Sequence, residues 1–337
     1  MPVAHMLPVD GKIAVFSPNW LGDCVMSMPA VEALRRKLGR PHIVAVVRPW
    51  LADLWRMCEA VEEVVAADTS GFGFLGAALA VRRVNASAAV IFPNSFRSAF
   101  IAYLAGIPIR VGAKGHWRVW MLTDVVSLRG SRRHQAAEYL EIAGAGGEEP
   151  APPRLVIPDE ARANAEGRLP DARKGAWIAV FPGAARGPAK RWPPEYFAET
   201  IMRICREAPA RAAVLGSASE RGVCERVASL AAPHCVNLCG ELNLRELAAL
   251  LGMCRLTLCN DSGGMHLSAA VGTPVVAIFG ITDPSVTGPL GRGHRILTAP
   301  GAPHSRFVGR TSRTASEVLA SIRPEEAAAA ALEVLRR

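Results

Sequence analysis

Residues 258–280 constrain what this chain can fold into more than any other stretch. Leu256–Cys259 reads as the end of a buried strand, Asn260-Asp261-Ser262-Gly263-Gly264 as a polar turn, and Met265–Val271 as a helix. Gly272-Thr273-Pro274 stops that helix before a second apolar strand, Val275–Phe279. A strand that passes through a Ser/Gly turn into a helix aims backbone N–H groups, and the positive end of the helix dipole, at whatever lies above the turn. The natural guest is an anion, often a phosphate or pyrophosphate. The turn is not a Walker A loop, because no Gly-Lys-Ser/Thr follows the glycines, and it is not GxGxxG. An ordinary βα turn with Asp261 as helix cap is the competing assignment.

The rest of the chain carries the same punctuation. Lys12–Phe16 reads as a first buried strand, Ser17–Asp23 as a turn, Cys24–Leu38 as a helix and Ile43–Val47 as the next strand. This βαβ opening predicts a parallel sheet. Further strand and helix pairs follow to Gly112, with a helix from Phe96 after Pro93-Asn94-Ser95. Gly144–Pro153 is rich in Gly, Glu and Pro and reads as a linker. A second α/β run starts at Trp177–Phe181, with long or marked turns at 182–192, 216–220 and 260–264, and ends in an Ala-rich amphipathic helix, Glu325–Leu335. Two doubly wound halves place a cleft between two sets of strand C-terminal ends, where ligands of open α/β sheets bind.

Charge and cysteine usage narrow the function. A net charge of +9 implies acidic partners. With Phe and Tyr sparse, a phosphate-ligand enzyme fits better than a nucleic-acid reader. From Ala113 to His134 the chain is basic, with Lys114, His116, Arg118, Arg129, Arg132, Arg133 and His134 around Trp117 and Trp120. Two readings stand: a solvated loop anchored by tryptophans, or a rim for an anionic substrate. The eight cysteines form no CxxC pair and mostly sit in apolar stretches, as buried reduced thiols of a cytosolic protein do. Cys235 and Cys239 are too isolated for a zinc site. No basic n-region opens the chain, and no apolar run approaches the roughly 20 residues of a membrane span.

The segments FPGAARGPAKRWP, GSASERGVCERVA and NDSGGMHLSAAVGTPVVAIFG, in this order, resemble the nucleotide-sugar half of the ADP-heptose:lipopolysaccharide heptosyltransferases, glycosyltransferase family 9. FSPNWLGDCVMSMPAVEALR, IFPNSFRSAF and GIPIRVG agree in the first half, and the resemblance covers nearly the whole chain. It implies an α/β GT-B fold of two Rossmann-like doubly wound domains facing a central cleft. Residues 1–170 would bind the acceptor and 171–322 the nucleotide sugar, with a C-terminal helix at 323–337 packing back on the first domain. It implies inverting, metal-independent transfer of L-glycero-D-manno-heptose from ADP-heptose to the phosphorylated, Kdo-bearing inner core of lipopolysaccharide. GPAKRWP and PNSF point to the second heptose. The expected setting is the cytoplasmic face of the inner membrane, in peripheral contact with it, with no cofactor and no nucleic-acid partner.

The resemblance also assigns residues. Asp23 matches the base that takes the acceptor hydroxyl proton; read alone, it is a helix N-cap. Lys190 matches the lysine that meets the charge on the departing diphosphate. Ser262, Gly263 and Gly264 supply helix-terminus donors, Asp261 faces sugar hydroxyls, and Glu220 resembles the carboxylate that holds the ribose. As a first-turn acid, Glu220 would also complement a helix dipole. His266 either faces the phosphates or packs in the core. Asn94, Ser95 and Arg97 match the acceptor-side segment, with Arg97 available to an acceptor phosphate or carboxylate. One departure stands out: Pro303–Ser321 holds no cysteine where related chains carry one, so that segment inherits no role. Two alternatives stay open, a GT-B transferase of another sugar or acceptor and a non-catalytic nucleotide-binding protein. A dehydrogenase fits poorly, because no GxGxxG follows Lys12–Phe16.

Overall fold

The computed structural model describes Leu7 and residues 11–68, 73–128, 133–169, 175–185, 187–302 and 311–337. Arg129, Arg132, Arg186 and positions 303–310 lie outside the described residues. The chain divides into two compact units, Met1–Val156 and Ile157–Arg337.

The first unit runs β1 (Lys12–Phe16), α1 (Leu21–Lys37), β2 (His42–Val47), α2 (Ala52–Arg56), β3 (Glu63–Ala66), α3 (Gly73–Val84), β4 (Ala88–Ile91), α4 (Phe96–Leu104), β5 (Ile109–Ala113), β6 (Asp124–Val126) and α5 (Gln135–Ile142). All its strand pairs are parallel, in the order β3-β2-β1-β4-β5-β6. Beyond Lys12 at the start of β1 the central strands are apolar, because helices cover both faces of such a sheet. Ile13 pairs with Ile43 on one side and Ala88 on the other, and all three are buried.

The second unit runs α6 (Asp159–Arg168), β7 (Ala176–Phe181), α7 (Pro194–Glu207), β8 (Ala210–Val214), α8 (Arg221–Leu230), β9 (Cys235–Asn237), α9 (Leu244–Met253), β10 (Leu256–Asn260), α10 (Gly263–Ala270), β11 (Val275–Phe279), α11 (Pro284–Thr287), β12 (Arg295–Thr298), α12 (Arg313–Ser321) and α13 (Pro324–Leu335). Its parallel sheet has the order β12-β11-β10-β7-β8-β9. Counted from β7, this is the first unit's order again.

The units divide nearer Val156 than residue 170, because α6 packs on α9 and Cys58 bridges Leu155 in antiparallel fashion. The last helix belongs to the second unit's core: Ala327, Ala328, Ala331 and Leu332 of α13 are buried among Ile178, Leu258 and Val276. Helix α1 starts three residues earlier than the sequence suggests, at Leu21. Its N-cap position is Trp20, which makes no side-chain cap bond, so Asp23 is not the cap but a first-turn residue. All eight cysteines are free and none is exposed. Among the described residues no helix is long and apolar enough to cross a membrane.

Candidate active site

Ligands of an open parallel sheet bind where the strand order reverses, at the carboxyl ends of the strands. In the second unit the reversal lies between β7 and β10. The loop after β7 carries Lys190, and the turn after β10 carries Asp261 and Ser262.

Asn260 holds these two segments together. It is fully buried. Its Nδ2 donates to the carbonyls of Pro182 (2.9 Å) and Gly183 (3.3 Å), and its Oδ1 accepts from the Trp192 backbone N–H at 3.0 Å. A buried amide with both ends satisfied is a rigid clip. Trp192 anchors the far side of the loop. Its buried ring packs edge-on against Phe197 at 5.0 Å, and its Nε1 donates to the Ile322 carbonyl at 3.0 Å.

Within that frame the Lys190 ammonium donates to Asp261 Oδ2. Thr282 Oγ1 donates to the same oxygen at 2.9 Å. Lys190 and Asp261 are largely buried, and together with Ile278, Gly280 and Thr282 they line a small cleft. Burying either charge alone costs several kcal/mol, of order, so each requires the other. Sequence reasoning singled out Lys190 and Asp261 but missed Thr282 and Asn260.

Ser262 takes the N-cap position of α10 without making a cap bond. Its Oγ is buried and has no hydrogen-bond partner among the described residues. The first N–H groups of a helix also have no intrahelical partner, so hydroxyl and amides here form an end suited to an anion. Gly264 is required by packing: a Cβ there would stand 2.8 Å from the Phe181 ring. His266 lies one turn on and is buried.

Glu220 stands after β8. Its Oε2 accepts from the Ser217 N–H (2.9 Å) and Oγ (2.8 Å) in a capping box. The same carboxylate lies over Gly183, where a Cβ would come within 2.1 Å of Oε1. Glu220 therefore borders the β7 loop as well as capping its own turn.

In the first unit the reversal lies between β1 and β4. The loop after β1 is pinned from below. Ser17 Oγ accepts from Trp55 Nε1 and donates to the Pro18 carbonyl, both at 2.8 Å, and Cys24 Sγ donates to that carbonyl at 3.2 Å. Burial pushes the Cys24 thiol up to about 12, so it stays protonated and unreactive at neutral pH. Beside it, the half-buried Asp23 accepts from Gln135 Nε2 at 3.1 Å through Oδ1. Gln135 also donates to the Tyr139 hydroxyl at 2.7 Å. Burial first, and the Asp23 charge second, raise the Tyr139 phenol well above its ordinary value, so Tyr139 remains neutral. Gln135 and Tyr139 escaped sequence reasoning.

The loop after β4 carries the other expected residues. Ser95 caps α4, accepting from the Ser98 N–H at 3.2 Å. Asn94 and Arg97 are exposed, and the Asn94 amide lies against Gly115. Arg118 is not part of a solvated rim. Its side chain is buried, with Nε and Nη2 donating to the Ala113 carbonyl at 3.0 and 2.7 Å and Nη1 donating to the Pro93 carbonyl. Burial pulls its guanidinium down to about 10, which leaves it charged at neutral pH. The tryptophans are not anchors either, since Trp117 and Trp120 are both exposed.

The family model for glycosyltransferase family 9 (heptosyltransferase) matches residues 75–316. The lipooligosaccharide heptosyltransferase 2 of Haemophilus ducreyi is 30% identical over 305 residues, covering 83% of this chain and 86% of that protein. The lipopolysaccharide heptosyltransferase 2 of Escherichia coli K12 is 29% identical over 337 residues, covering 93% and 95%. The solved structure of the E. coli ADP-heptose lipopolysaccharide heptosyltransferase II superposes with a TM-score of 0.83 at 26% identity, covering 96% of this chain and 98% of that one.

Proposed function

The chain belongs to glycosyltransferase family 9, and from that premise we propose that it moves L-glycero-D-manno-heptose from ADP-heptose to the inner core of lipopolysaccharide, as the second heptose. The observation that carries this reading is the buried Lys190–Asp261–Thr282 cluster, whose Asp261 directly precedes the N-cap Ser262 of α10. A diphosphate leaving group needs such a cation and such donors. Similarity to relatives named heptosyltransferase 2 supports the choice of sugar and acceptor.

The second unit takes the ADP-sugar and the first takes the acceptor. The diphosphate lies at Ser262, Gly263 and Gly264, with Lys190 on its β-phosphate and His266 behind. Glu220 receives the ribose hydroxyls and Asp261 the sugar hydroxyls. Asp23 takes the proton of the acceptor hydroxyl as that oxygen attacks the anomeric carbon. The bond from that carbon to the phosphate oxygen breaks, ADP departs, and the centre inverts. Asn94, Ser95 and Arg97 hold the acceptor's anionic groups. The reaction takes place at the cytoplasmic face of the inner membrane.

The test is nucleotide release from ADP-heptose, UDP-sugars and GDP-sugars, each with and without a heptose-deficient core acceptor. ADP should appear only with ADP-heptose plus acceptor. Release from a UDP- or GDP-sugar would overturn the donor assignment. Tight ADP binding with no release would make the chain a binding protein. EDTA should leave turnover unchanged; activity lost in EDTA and restored by Mn²⁺ would overturn the metal-free mechanism.

A further inference from the structure

Between Asp68 and Asp124 the chain contains no acidic residue, yet besides the buried Arg118 it carries Arg82, Arg83, Arg97, Arg110 and Lys114. Within this stretch α3 and α4 pack side by side, and the surface they present is unusually apolar. Helix α4 buries Ala99, Ile101 and Ala102 inward. Its outward residues Phe96, Tyr103 and Leu104 are apolar too, with Phe100 half-buried beneath them, although helices of soluble proteins normally turn a polar face to water. Phe96, Tyr103 and Leu104 are exposed. The stripe continues sideways through ring contacts: Phe74 lies 5.9 Å from Phe100, and Trp120 lies 6.4 Å from Phe96 and 5.5 Å from Tyr103. Leu75 and Leu79 of α3 are exposed alongside.

The loop after β5 extends this face. His116 and Trp117 are consecutive residues with φ of 50° and 55°, a conformation that non-glycine residues rarely adopt. The buried Arg118 guanidinium fixes the loop's base by binding carbonyls of two segments. The Arg118 bonds thus anchor a strained turn that carries a tryptophan 92% exposed. A protein folding only for itself gains nothing from such a display.

We propose that this face, with Trp117 and Trp120 at its centre, docks the protein onto a bilayer surface containing anionic phospholipid. Trp and Tyr favour the membrane–water interface, and Lys and Arg around them are drawn to anionic headgroups. The charge pattern selects this occupant. A second copy of the chain would set cations against cations. A nucleic acid would leave Leu75, Leu79, Leu104 and Val119 without apolar contact. The inference deepens the reading of a membrane-borne acceptor and rests on it for its biological sense, but not for its test.

The test is vesicle flotation with no sugar nucleotide or acceptor present, so that its failure and the failure of heptose transfer are separate results. The protein should float with phosphatidylglycerol/phosphatidylethanolamine vesicles, float poorly with phosphatidylcholine, and release as salt rises. Brominated lipid should quench its tryptophan emission. A Trp117→Ser/Trp120→Ser variant should lose at least about tenfold in partitioning while remaining folded, with only the small loss in melting temperature that removing Trp120's ring contacts with Phe96 and Tyr103 brings. Three results would each overturn the proposal: absence of flotation with anionic vesicles, equal flotation of the variant, or displacement of the vesicles by a single-stranded oligonucleotide. So would concentration-dependent dimerisation that the variant abolishes.

Discussion

The two units share one strand order and use it for opposite electrostatics. At the reversal in the first sheet stands a carboxylate, Asp23, steadied by the neutral amide of Gln135. At the reversal in the second stands an ammonium, Lys190, steadied by the carboxylate of Asp261. The charged partner makes it possible to keep an ammonium largely out of water. A shared scaffold therefore dictates where chemistry happens, while the loops after the strands decide its sign.

The sharpest way to break this comparison is Asp23→Ala. Turnover should fall by about 10²–10⁴, with ADP affinity, read by calorimetry, unchanged; undiminished turnover would remove Asp23 from the mechanism. Lys190→Ala should lower kcat/KM by about 10²–10³ and, unlike the first variant, weaken ADP binding as well. If ADP affinity held, the lysine would not face the leaving group. Asn260→Ala removes the clip beneath both second-unit segments. Urea denaturation should show a loss of about 1–3 kcal/mol, accompanied by weaker ADP binding; an unchanged midpoint would show that the loop holds its shape without the clip. The mildest change is Gln135→Leu. A loss of about tenfold or less in kcat is expected, as for one neutral hydrogen bond, with ADP affinity unaltered. A shifted ADP affinity instead would contradict the separation of roles.

Much of this was legible in the chain because it is local. The paired strand, turn and helix patterns predict two parallel sheets, and the strands at their centres fall where the apolar runs place them. Asp261 and Ser262 stand at a βα turn as expected, and the Gly-, Pro- and Trp-rich surroundings of Lys190 do mark a shaped loop. What sequence reasoning missed depends on partners far away along the chain. Asn260 earns no notice until its side chain is seen bonded to Pro182 and Trp192. Gln135 lies 112 positions from Asp23. Arg118 reads as a solvated cation because a basic run usually is one, but carbonyls from two separate segments make its burial affordable. The sequence pattern starts α1 too late because Gly22-Asp23 looks like a turn, whereas Trp20 leads directly into the helix.

Helix α13 comes after every strand that it covers. Its alanines and Leu332 close the second unit's core, so that core stays open to water until residues 324–335 have left the ribosome. The first unit emerges complete well before then. In each round of synthesis the half assigned to the acceptor can fold ahead of the half assigned to the nucleotide. A chain stopped after Arg323 should keep the first unit's protease resistance and fail to bind ADP.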